Sequence, residues 1–138
     1  MTTLAFARFG SCFTYVCGRR DPTDQEWDSY IRFLRQNVVP GVAPRSLVVT
    51  DGGGPNSAQR TKLTELVAEH SGDVKIAVVT ASAVVRGIFT AMSWFATFNY
   101  RAFTPTQLDE ALVFLDVSRA TAFEMKTAIV AMRKKITD

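Results

Sequence analysis

The sequence predicts an α/β domain with a mainly parallel sheet. Residues 46–50 (SLVVT) and 74–80 (VKIAVVT) are short, continuous apolar runs, the texture of strands buried on both faces. Segments with apolar residues at helical spacing alternate with them. Residues 4–18 (LAFARFGSCFTYVCG) add two β-prone runs around Gly10-Ser11, the pattern of a hairpin. Alternating strands and helices imply right-handed crossovers, so the expected sheet carries an antiparallel N-terminal hairpin at one edge and helices over its faces.

Each element has a local reason. In residues 21–37 (DPTDQEWDSYIRFLRQN) proline falls near the first helical turn, acidic residues follow, and Trp27, Tyr30, Ile31 and Leu34 form one apolar face. After the glycines at 52–54, Leu63, Leu66 and Val67 make a buried stripe in the next helix, with Gly72 as its expected stop. Residues 82–98 form an apolar helix, and residues 100–104 (YRAFT) a short strand. A helix starting on Pro105 turns Leu108, Ala111, Leu112 and Leu115 inward. Ala122, Met125, Ile129, Met132 and Ile136 mark a last amphipathic helix. Residues 1–138 are thus one domain, with 118–138 as a C-terminal helical extension.

Composition narrows the function. A length of 138 residues suffices for one core without staples. Net charge is +3, but apart from Arg19-Arg20 and Arg133-Lys134-Lys135 the cations are scattered, so no nucleic-acid partner is expected. The basic triplet sits where a helix ends and complements its dipole. Cys12 and Cys17 are five apart, which on a strand sends them to opposite faces and prevents pairing or joint chelation. No metal-type spacing appears, and no metal or cofactor is expected. Free thiols and the lack of a charged leader with an apolar run predict a cytoplasmic protein. Arg86 interrupts the most apolar stretch, which is too short for a transmembrane segment.

The sharpest local signal is VVTDGGGPNSAQR, residues 48–60. A strand ends in Asp51, Gly52, Gly53 and Gly54 follow, and a polar helix begins at Asn56 or Ser57. Neither the lysine-bearing phosphate loop nor the spaced dinucleotide fingerprint is present. Triple glycine suits a turn with positive φ, which makes a β-branched substitution at Gly53 unfavourable. Asn56 or Ser57 suits a helix cap. Free amides at the helix start would leave room for an anion, and the loop follows a parallel strand's carboxyl end, where open sheets place ligands.

This loop and the element order resemble the STAS domain of bacterial anti-sigma factor antagonists, and more closely the SpoIIAA-like, STAS/SEC14-type small bacterial domains. The likeness spans residues 4–117 and includes IAVVTASAVVRGIFTAMSWF followed by RAFTPTQLDEALVFL. In the antagonists an aspartate precedes a phosphoryl-accepting serine. Asp51 matches the aspartate, but Gly52 and Gly53 replace the hydroxyl residues, leaving Ser57 as a displaced candidate for phosphorylation. The resemblance implies a non-enzymatic protein–protein interaction module in a bacterial regulatory or scaffolding system.

The 82–98 helix carries more apolar surface than one sheet face needs, including Phe89, Trp94 and Phe95, and a small-residue stripe of Ala83, Gly87 and Ala91. Either the C-terminal helix covers the surplus or a partner does; Trp, Phe, Met and Arg are enriched at interfaces. The expected binding surfaces are therefore the loop with Asp51, Gly52, Gly53, Gly54, Asn56 and Ser57, and the helix with Arg86, Phe89, Trp94 and Phe95. A protein partner and a homo-oligomer are expected. The alternative is a small ligand (nucleotide, phosphate or lipid) at the glycine loop or in an apolar pocket. His70, the one histidine, has no nucleophile at a recognisable spacing, so no catalytic residue is assigned.

Overall fold

The computed structural model describes residues 2–69, 74–93 and 99–137. The chain runs β1 (Leu4–Phe9), β2 (Cys12–Cys17), α1 (Asp24–Asn37), β3 (Arg45–Thr50), α2 (Ser57–Ala68), β4 (Lys75–Thr80), α3 (Ala83–Ser93), β5 (Asn99–Phe103), α4 (Leu108–Phe114) and α5 (Arg119–Lys134). A 3₁₀ turn, Pro105–Gln107, leads into α4. The five strands lie in sequence order. β1 and β2 pair antiparallel across a turn in which Gly10 has φ 60°, and every later pair is parallel.

Side-chain alternation sorts the core into two sides. Phe13, Tyr15 and Cys17 of β2 face α1 and α2, joined by Trp27, Tyr30, Ile31, Leu34 and Leu66. Ile76 and Val78 of β4 face α3 through Tyr100 and Phe89. On the opposite side, Cys12, Val16, Leu47, Val49, Ala77 and Val79 pack against Leu112 of α4, its C-cap Leu115, and Met125, Ile129 and Met132 of α5. The two cysteines therefore occupy opposite faces, as their odd spacing requires.

Two expectations change. Pro22 lies outside α1: Thr23 is the N-cap, its hydroxyl accepting from Glu26 N at 3.1 Å in a reciprocal capping box. The Glu26 carboxylate also accepts from Thr3 N at 2.9 Å and Thr3 Oγ1 at 2.7 Å, fastening the helix to the residue that precedes β1. The larger change concerns α5, which the sequence left free to cover α3. It packs instead on β1 and β2 from the other side of the sheet and is a full layer of the core. The surplus on α3 must be explained differently.

Met125→Ala should destabilise the protein by about 2–5 kcal/mol in a urea melt, the usual cost of emptying a packed methionine site. Phe123→Ala, on the exposed side of the same helix, should stay within about 0.5 kcal/mol of the parent. Equal, small effects would make α5 an appendage.

Candidate functional site

Register brings the carboxyl ends of β2, β3 and β4 into one row, Cys17 opposite Thr50 and Thr50 opposite Thr80. Both threonines close the chain behind them. Thr50 Oγ1 accepts from Gly52 N at 3.1 Å and donates to Gly53 O at 2.6 Å, while Thr80 Oγ1 accepts from Ser82 N at 3.2 Å. Local side-chain bonds of this kind hold a turn without help from secondary structure.

The glycines have distinct tasks. Positive φ falls on Gly52, at 132°. Gly53 does not adopt it and is needed for a different reason: a Cβ there would overlap the Arg20 carbonyl oxygen and come within 2.9 Å of Gly18 O. The β2 and β3 exit loops touch backbone to backbone at this point, and Gly53 N donates to Gly18 O at 2.9 Å. Gly54 N donates to Asp21 Oδ1 at 3.0 Å.

Asn56, rather than Ser57, caps α2. Its side chain accepts from Gln59 N at 2.9 Å, and Gln59 Oε1 accepts from Asn56 N at 2.9 Å. Gln59 is only 3% exposed; its Nε2 donates to Pro22 O at 3.2 Å and Asp24 Oδ1 at 2.9 Å. Its carbonyl accepts from Trp27 Nε1 at 2.8 Å. The amides of Gly52, Gly53, Gly54, Asn56 and Gln59 are thus all bonded within the protein. An anion cradle needs such groups pointing outward and unspent. The loop is a turn and a cap.

Between this loop, α2 and α3 lies a cleft of about 250 Å³. Gly52, Gly53, Gly54 and Asn56 line it from one side, Val85, Ile88 and Phe89 from the other, with Tyr15, Val48 and Thr50 on the sheet. It adjoins an apolar cavity of about 60 Å³ walled by Trp27, Tyr30, Leu63, Ile76 and Tyr100; Tyr15, Val48, Pro55, Arg60 and Phe89 border both. Arg60 stands at their junction, donating to Pro55 O at 2.9 Å and Ser57 Oγ at 3.1 Å. The glycine loop and α3, named separately from the sequence, face one space.

Some expected residues point elsewhere. Asp51 turns to the α5 side, where Arg133 Nη1 contacts both carboxylate oxygens at 3.0 Å. Both side chains are partly exposed, so the pair contributes at most about 1 kcal/mol. Arg133 is therefore engaged in a tertiary contact beyond the helix dipole. Ser57 is exposed and holds Arg60. Arg86 folds back to donate to Thr80 O at 2.7 Å, and so braces the end of β4 instead of reaching outward. The small stripe Ala83, Gly87 and Ala91 faces solvent, and a Cβ on Gly87 would meet nothing within 4 Å. Trp94, Phe95, His70 and Gly72 lie outside the described residues.

Sequence reasoning missed Tyr15 and Arg60. Tyr15 is 3% exposed, and among the described residues its hydroxyl meets no oxygen or nitrogen partner, only the Cys17 sulfur. The Cys17 sulfur beside it is a weak acceptor, with its thiol hydrogen directed at Arg20 O, 3.4 Å away. Burial, reinforced by Cys17, pushes the phenol's pKa above its ordinary value, so Tyr15 is a neutral donor. Burial also pushes the Cys12 thiol up to about 12 and Cys17 in the same direction. Neither is a thiolate at neutral pH. Among the described residues no cluster of His, Cys, Asp and Glu could hold a metal ion, and no helix is long and apolar enough to cross a membrane.

Gly53→Ala should cost about 2–3 kcal/mol, the range for forcing atoms into a filled space, whereas Gly54→Ala should be within about 0.5 kcal/mol of the parent. Equal denaturant midpoints for the two variants would remove the close approach at Arg20. Tyr15→Phe should stabilise the protein by about 1 kcal/mol, since it deletes a buried hydroxyl whose partner among the described residues is only the weakly accepting Cys17 sulfur. A similar loss in a thermal melt would mean that the hydroxyl is bonded in the folded state.

No family model and no curated protein matches this sequence. Among solved structures, the chain is similar to an uncharacterised protein of the DUF3478 family from Shewanella loihica, described as having a SpoIIAA-like fold. The TM-score is 0.63 at 12% identity, over 83% of this chain and 95% of that one. The sheet order, the antiparallel first pair and this likeness agree: the chain has a SpoIIAA-like fold.

Proposed function

We propose that the protein is a binding module and not an enzyme, and that it holds a small, largely apolar ligand in the cleft between α2 and α3. One observation carries this: the two segments singled out from the sequence line a single concave space with an apolar continuation beneath it. Concave, mainly apolar sites with a few placed polar groups are the usual form of small-molecule sites. The case against catalysis rests on the ionisable groups that line the cleft. Asp21 is bonded to Gly54, Arg60 to its own helix start, and Tyr15 stays neutral. They form no nucleophile–base pair.

A second reading has its own support. Val84 and Ile88, one turn apart on α3, are 73% and 53% exposed. Such a face fits association with a protein partner or a second copy, in keeping with a bacterial regulatory role. The two surfaces meet at Ile88, which borders the cleft, while Val85 and Phe89 face inward and Val84 is on the outer side.

Native mass spectrometry of protein purified without detergent tests both. The ligand reading predicts a monomer carrying extra mass that organic extraction removes. A dimer without added mass favours association, and a bare monomer counts against both.

A further inference from the structure

Arg60 closes the first turn of α2, its amide donating to Asn56 O at 2.9 Å. A cation there opposes the helix dipole, and no acidic residue in that turn offsets it. An arginine carries five N–H groups. Nη1 donates to Pro55 O at 2.9 Å and Nη2 to Ser57 Oγ at 3.1 Å, so each keeps a second hydrogen, and both acceptors are neutral. Among the described residues the exposed guanidinium meets no carboxylate. It borders the cleft of about 250 Å³ and the apolar cavity beneath, where it is the one charged side chain among the described lining residues. Burial pushes the Tyr100 phenol up to about 12, and the Arg60 charge works against that push. The cation is therefore felt at the cavity wall.

Resting on the ligand reading above, we infer that the cleft takes an amphipathic organic acid, whose carboxylate pairs with Arg60 while its apolar body lies against the cavity walls. Phe89 and Tyr100, centroids 5.7 Å apart, with Trp27, Tyr30 and Leu63, supply those walls. Asp21 sets the orientation. It lines the cleft and not the cavity, and its Oδ1 accepts from Gly54 N at 3.0 Å on the glycine side. Like charges repel, so a ligand carboxylate turns away from Asp21 and toward Arg60. The amides of Gly52, Gly53 and Gly54 are bonded internally and do not hold the head. That task falls to the guanidinium, whose planar fork matches a carboxylate.

The test uses 3-phenylpropionate, 3-phenylpropanol and 3-phenylpropylammonium as probes, titrated into the full chain at neutral pH and followed by two-dimensional amide NMR. The probes share a ring and a chain length and differ in the head. The parent protein should bind the acid about 2- to 5-fold more tightly than the alcohol, the worth of a partly exposed ion pair, and the ammonium most weakly. Salt at about 1 M should erase the acid's advantage. Arg60→Gln should bind acid and alcohol alike. A preference for the acid that survives in Arg60→Gln, or in high salt, overturns the assignment to Arg60. Equal binding of acid and alcohol by the parent, or tighter binding of the ammonium, overturns the ligand class and leaves the cleft as the site. Absence of binding by all three at the amides of Val48 and Phe89 removes the ligand reading itself.

Discussion

Gln59 joins three segments that the chain visits far apart. Its side chain bonds Pro22 before α1 and Asp24 at the start of α1 and closes the α2 cap with Asn56, and its carbonyl receives the Trp27 indole. A buried amide is tolerable only when its donors and acceptors are met, and here they are. The start of α2 is thereby fixed against α1, and the glycine loop has one path to it. Gly53 completes the constraint by letting that path touch the Arg20 carbonyl. The near wall of the cleft is thereby tied to α1 and to the β2 exit loop.

The same network commits the amides of the glycine loop. Backbone amides bind phosphate when a loop leaves them pointing at empty space. In this loop they point at Thr50, Gly18, Asp21 and Gln59. With those groups bonded internally, the cleft is lined by Tyr15, Val48, Val85, Ile88 and Phe89 together with Asp21, Thr50 and Arg60. The far wall, α3, is simpler. It presents Val85 and Phe89 inward and is anchored at its first turn by the bond from Arg86 to the end of β4.

The fold was legible because it depends on local periodicity. Buried strands, helical stripes and the hairpin turn are written in runs of a few residues each. The site was half legible. Triple glycine announces a tight turn, so the loop was found, but which glycine has positive φ and which meets another backbone depends on the β2 exit loop, more than thirty residues earlier in the chain. Asp51 follows β3 as expected, but the direction of its side chain was not legible because its partner, Arg133, lies 82 residues away. Arg86 read as an outward anchor because the sequence does not show that it bends back to Thr80. Tyr15 looked like an ordinary strand aromatic. Its isolation is a property of everything that surrounds it, and no short window contains that.

The account stands on the rim's amides being committed inside the protein. Amide hydrogen exchange, resolved by residue, reads this directly. Gly52, Gly53, Gly54, Asn56 and Gln59 should exchange at least about tenfold more slowly than in an unstructured peptide, as bonded amides in a stable region do. Exchange at the peptide rate across these positions would mean that the amides are free to meet an anion.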